Sequence, residues 1–219
     1  MCSSFLGDPC DQQGLDLSNI SLTVHQMGDW HHPMYGKCSR LLLILANVGR
    51  YCRLVHDMPQ NRNPTQEAML EAQLHSWATD PPNPDLGHLY EAFRNHGLAF
   101  LGRSRAHAQR GCPTDLAVAG TQESLILQYA KETVRHLLLI PASSYSLNFQ
   151  SLPLVAAGSE LTQSDDFLRD QVRGRLRAIY SLNRLPTNSM AGRLIEELWE
   201  ARDSGNSSFW LSHTLQRGW

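Results

Sequence analysis

The chain has 219 residues, of which 42% are hydrophobic and 18% charged, with a formal net charge of −2. That length and apolar fraction suit one globular domain with a sizeable core. The charge balance excludes an overall basic field for nucleic acid or an anionic membrane. Five scattered cysteines exclude a disulfide framework.

In chain order, residues 1–37 show weak periodicity and several breakers, and are expected to be irregular or to hold one short helix. The N-terminal MCSSFLGDPC has no basic start and no long apolar run, unlike a secretory leader. From Arg40 the pattern sharpens. Leu41, Leu45, Val48, Cys52 and Val55 recur at spacings of four and three, one stripe of a helix that Pro59 stops. The longest apolar run, at 41–48, falls far short of the ~20 residues a membrane helix needs. The expectation is a soluble protein of a reducing, intracellular compartment.

A second helix opens at Asn63, which can cap, with Pro64 in the first turn and Gln66 three residues after the cap. Leu70, Leu74 and Trp77 form its stripe, and DPPNPD ends it. A third carries Leu86, Leu89, Phe93, Gly97 and Phe100 on one face and closes near Gly111. A fourth runs from about Thr121 to Ile140, where Pro141 stops it. SLPLVAAGSEL then predicts a short helix capped by Ser151 with Pro153 in its first turn. A further helix starts after Ser164 with Asp165 and Asp166 against its positive end, and faces inward with Leu168, Val172, Leu176 and Ile179. The last spans Met190 to Asp203, with Gly205 as terminator and 206–219 as a C-terminal tail. No stretch alternates like a strand. The fold class is all-α, an irregular bundle of about seven helices joined by short loops, with the helical domain at 38–205.

Motifs for nucleotide, zinc-protease, esterase or calcium chemistry are missing from the sequence. His25, His31, His32 and Cys38 have zinc-compatible chemistry but lack the close ligand pairs of structural sites, so no metal or other cofactor is expected. Cys52 and His56 stand at i, i+4, the spacing of a nucleophile and a base, yet Cys52 lies on an apolar stripe, where a thiol is ordinarily core. Arg169, Arg173 and Arg177 line one helix face. Phosphate binding is one reading and an ion-paired surface the other, which the neighbouring Asp165, Asp166 and Asp170 favour.

Five stretches in order, MLEAQLHSW, LYEAFRNHGLAFLGR, LPLVAAGSE, SDDFLRDQVRGRLRAIY and AGRLIEELWEARDSG, resemble the fungal-specific transcription factor domain, the regulatory region of fungal zinc binuclear cluster factors. The residues that carry the resemblance include Pro153, Gly158, Glu160, Trp199, Arg202 and Asp203. The resemblance covers roughly residues 38 to 205 and implies a helical regulatory fold, a nuclear location and control of transcription. It implies protein partners or self-association, with a small effector as a further candidate, and no membrane. The family's DNA-binding module needs six clustered cysteines; the five scattered ones here cannot build it. This chain is therefore expected not to bind DNA specifically, and to be a fragment, a truncated product or a relative without direct DNA contact. The alternatives are a small helical enzyme with a site assembled from distant residues, or a helical dimerisation scaffold.

Glu160 poses a specific question. Placed in the final turn of its helix, and read as lying off the packed face, it faces an unfavourable dipole. Arg202, with Arg173 second, is the expected guanidinium partner in a clamp between helices. A solvated Glu160 without a partner is the competing expectation.

Overall fold

The computed structural model describes residues 37–109, 116–206 and 209–216. They form eight α-helices and no strand: α1 Ser39–Asp57, α2 Pro64–Ser76, α3 Pro84–Ala108, α4 Leu116–Leu139, α5 Ser151–Gly158, α6 Asp166–Asn183, α7 Pro186–Asp203 and α8 Trp210–Gln216, with short 3₁₀ turns between some of them. The long neighbours α3 and α4 pack most extensively; α1 and α2 pack on α3, and α5 packs on α3 and α4 and connects them to the α6–α7 pair. No described helix is long and apolar enough to cross a membrane.

Local chemistry explains most boundaries. Asn63 accepts from the amides of Thr65 and Gln66 and starts α2. Asn83 does the same for α3 through the Leu86 amide. Thr162 and Asp165 form a reciprocal capping box ahead of α6. At the end of α7, Gly205 takes φ +84°, its amide donates to the Arg202 carbonyl, and the Asn206 amide donates to the Ala201 carbonyl. That paired bonding terminates a helix through a left-handed residue.

Four boundaries differ from the sequence reading. α4 begins at Leu116, about a turn ahead of Thr121. Ser151 does not cap α5: its hydroxyl donates to Asn188 Oδ1 at 2.8 Å, and Gln150 precedes the helix without a side-chain cap. α7 begins at Pro186 rather than Met190, because proline is preorganised for a first helical turn as well as being a helix stop. The segment read as a tail contains α8, whose Trp210 and Leu211, with Phe209, are buried. Seven residues are too few to show helical periodicity, and burial of these apolar groups is what holds them.

The core is continuous. Leu41, Leu45, Val48, Cys52 and Val55 of α1 are all buried, as are Leu70 and Leu74 of α2 and Val172, Leu176 and Ile179 of α6. Small residues permit three close approaches. A Cβ on Gly102 would stand 2.9 Å from Ile126 Cγ1 of α4. A Cβ on Gly97 would stand 2.7 Å from Leu45 Cδ2, and one on Gly158 would stand 2.6 Å from Ile195 Cδ1.

Candidate functional site

The PLVAAGSE stretch ends where four helices converge. α5 stops at Gly158, and a tight turn, with the Glu160 amide donating to the Ala157 carbonyl, carries Glu160 inward. Glu160 is therefore not on an outward face. It is 4% exposed: Ser159 keeps helical backbone angles and its amide still donates to the Val155 carbonyl, but the amides of Glu160 and Leu161 donate three residues back, so the last turn tightens and Glu160 swings inward from where a 100° step would place it.

Arg103, from α3 and also 4% exposed, meets it with Nε to Oε1 at 3.0 Å and Nη2 to Oε2 at 2.6 Å. The same guanidinium grips Glu123 of α4 with Nη1 at 2.6 Å and Nη2 at 2.7 Å. Arg202 Nη2 of α7 reaches Glu160 Oε2 at 2.7 Å. Two cations and two anions thus cancel at one junction. Burial alone would lower the Arg103 pKa, and the facing carboxylates more than offset that, raising it. Forked pairing of this kind is among the stronger charged contacts.

Arg173 does not join the junction. It pairs with Glu196 through Nε and Nη2 at 2.7 and 2.9 Å, and with Asp170 at 2.6 Å. It points along the α6–α7 seam, one turn away from Arg169. Arg169 is the buried member of that row. Nη1 and Nη2 hold Asp203 at 2.7 and 2.8 Å, and Nη2 also reaches the Leu161 carbonyl at 2.9 Å. Arg177 is exposed and donates to the Arg173 carbonyl at 3.3 Å. Trp199 lies beneath the row, its ring centroid 5.0 Å from the Arg169 guanidinium carbon and 4.7 Å from that of Arg173. Its Nε1 donates to the Gly158 carbonyl at 2.8 Å. Gly158, Glu160, Trp199 and Arg202 thus meet at one helix junction, while Pro153 is buried in the first turn of α5, at the other end of that helix.

Sequence reasoning missed a second buried carboxylate. Glu67 of α2 receives Arg62 Nε and Nη2 at 2.8 and 2.9 Å, Arg105 Nε at 3.1 Å and the Tyr51 hydroxyl at 2.9 Å. Burial would raise its pKa, but Arg62, Tyr51 and Arg105 outweigh that and hold it below the usual carboxylate range. The signal was present: 67, 70, 74 and 77 continue one stripe at spacings of three and four. Arg103 likewise extends the stripe of α3 beyond Phe100.

The Cys52–His56 pairing is not formed. Cys52 is fully buried with its thiol 3.8 Å from the Phe100 carbonyl, and burial pushes its pKa up, away from a reactive thiolate. His56 turns instead to Ser212 of α8, Nε2 to Oγ 2.8 Å, with Nδ1 2.9 Å from Asp57 Oδ1. Cys38 is buried, and burial raises its pKa to about 12; the other zinc candidates, His25, His31 and His32, lie outside the described residues. Among the described residues no group of three or more His, Cys, Asp or Glu side chains is placed to hold a metal ion.

No curated protein and no solved structure matches the chain. Residues 4–219 match the family described as the fungal specific transcription factor domain, a span reaching beyond 38–205 at both ends, and the chain therefore belongs to that family.

Proposed function

We propose that this chain is a regulatory and interaction module of a fungal transcription factor, acting in the nucleus through protein contacts and not by reading DNA itself. Membership of the family implies a role in transcription regulation. The observation that carries the finer reading is the engagement of the arginines. Arg62, Arg103, Arg105, Arg169, Arg173 and Arg202 all face carboxylates of this chain. A guanidinium held this way has few donors left for a phosphate. Exposed apolar groups, among them Phe167 at 75% and Leu182 and Leu185 beside the α6–α7 turn, offer contact points of the kind protein partners use.

The test has two arms. The purified chain, titrated against random and genomic duplexes at physiological salt, is expected to show no sequence-specific nanomolar binding. Tethered to an unrelated DNA-binding domain in a fungal reporter strain, it is expected to change reporter output. Specific nanomolar DNA binding, or an inert tethered chain, refutes the reading.

One observation favours a second, enzymatic reading. Asp57, His56 and Ser212 have the connectivity of an acid–base–nucleophile relay. Asp57 is also held by Arg53 at 2.7 Å. A fluorophosphonate probe that labels Ser212 in the native chain, and not in H56A, supports this reading; an unlabelled native chain dismisses it.

A further inference from the structure

Away from the ion-pair junction, α3 and α4 bring two histidines together. His88 Nδ1 and His136 Nδ1 lie 3.2 Å apart, with ring centroids 5.4 Å apart and planes inclined at 41°. Both rings are half-buried on the wall of a groove of about 420 Å³, lined also by Trp77, Pro81, Tyr90 and Arg94. From this geometry we propose that His88 and His136 form a bidentate site for a late first-row divalent metal ion, with the remaining coordination positions open to the groove.

The argument rests on distances and ligand chemistry. Imidazole nitrogens bind such ions at about 2.0–2.1 Å, which at a near-tetrahedral angle separates two ligating nitrogens by about 3.3 Å. The observed separation already meets that requirement, so neither helix has to move. Without metal, one Nδ1 donates to the other. Metal binding needs that proton to shift to Nε2 of the same ring, a tautomer change within a neutral imidazole. Imidazole ligands suit zinc, nickel and copper over harder cations. The surroundings fit a cation. Glu91 and Glu132 face His136 and favour positive charge there, while Arg94, paired with Glu91, opposes it. Burial leads the effects that lower the His136 pKa, favouring the neutral, ligating form. Two protein ligands, where structural zinc sites have four, make this a weak, exchangeable site that folding does not require.

The experiment is calorimetric titration of the full chain with Ni²⁺ alone and with Zn²⁺ alone. His25, His31 and His32 could bind metal on their own, so the H25Q/H31Q/H32Q variant is titrated beside the native chain. The expected result is binding at one site that this triple variant retains and that H88Q or H136Q weakens at least tenfold. An independent readout uses the native chain and so does not depend on a variant folding: Ni²⁺ protects His88 and His136 from diethyl pyrocarbonate. The proposal is overturned if the native chain binds neither ion, if H88Q/H136Q binds as the native chain does, or if metal leaves both histidines equally reactive.

Discussion

Replacing Glu160 by alanine isolates the junction where α3, α4, α5 and α7 meet. The substitution leaves Arg103 buried and holding Glu123 alone, whose side chain is 51% exposed, and it leaves Arg202 without its 2.7 Å contact. Removing one partner of a buried pair costs about 3–5 kcal/mol when the remaining charge is stranded. Here the stranding is incomplete: Glu123 still neutralises Arg103, and Arg202, 16% exposed at its side chain, can reach water. The expected loss is therefore about 2–4 kcal/mol, shifted below that range by roughly 1 kcal/mol. For a domain of this size that corresponds to a drop in Tm of roughly 5–15 °C. Urea unfolding of the native chain and E160A, followed by far-UV circular dichroism, measures it. A double-mutant cycle with R202A assigns the share that passes between those two residues, expected at about 1–2 kcal/mol. A loss below about 0.5 kcal/mol, the level of an ordinary surface change, would show that the junction holds nothing together.

Trp199→Phe removes the donor to the Gly158 carbonyl and is expected to destabilise by about 1–3 kcal/mol; an unchanged urea midpoint refutes this. Gly158→Ala is expected to destabilise by about 1–2 kcal/mol, since overpacking against Ile195 exceeds the gain in helix propensity. Ile195→Val removes the clashing Cδ1, so the double variant should lose less than the sum of the singles, and strict additivity counts against the clash. His96, buried and stacked on Phe100, has its pKa lowered to about 4 by burial. The unfolded chain takes up that proton first, so this stability is fully present above pH 6.5 and declines as pH falls towards 4, by about 3 kcal/mol in all. His96→Phe should flatten the stability profile between those values, and an unaltered slope would exclude His96 as its source.

Helix positions and inward faces were legible in the sequence because each depends on neighbours three or four residues away. The stripe on α1, the Asn63 cap and the Gly205 terminator are local events, and they stand in the structure where the spacing and residue types put them. The family was legible too, through five short stretches in order. α8 was not, since its seven residues carry too little pattern and are held by the core around Phe209 and Trp210.

The charged interior divides in the same way. Glu67, Arg103 and Arg169 each continue an apolar stripe of their own helix, so the sequence carried a signal for their inward placement, although the reading of charge alone put Arg169 on a surface face and passed over the other two. The sequence did not determine their partners. Arg103 meets Glu160 across 57 positions and Glu123 across 20, and Arg169 meets Asp203 across 34. Such pairings depend on how helices cross and on how the last turn of α5 tightens at Glu160, neither of which is encoded in local spacing. Tertiary structure therefore decided that Arg103 is the principal cation at Glu160, that Arg202 joins it, and that Arg173 turns to Glu196, because a buried charge takes the opposite charge that packing brings within reach.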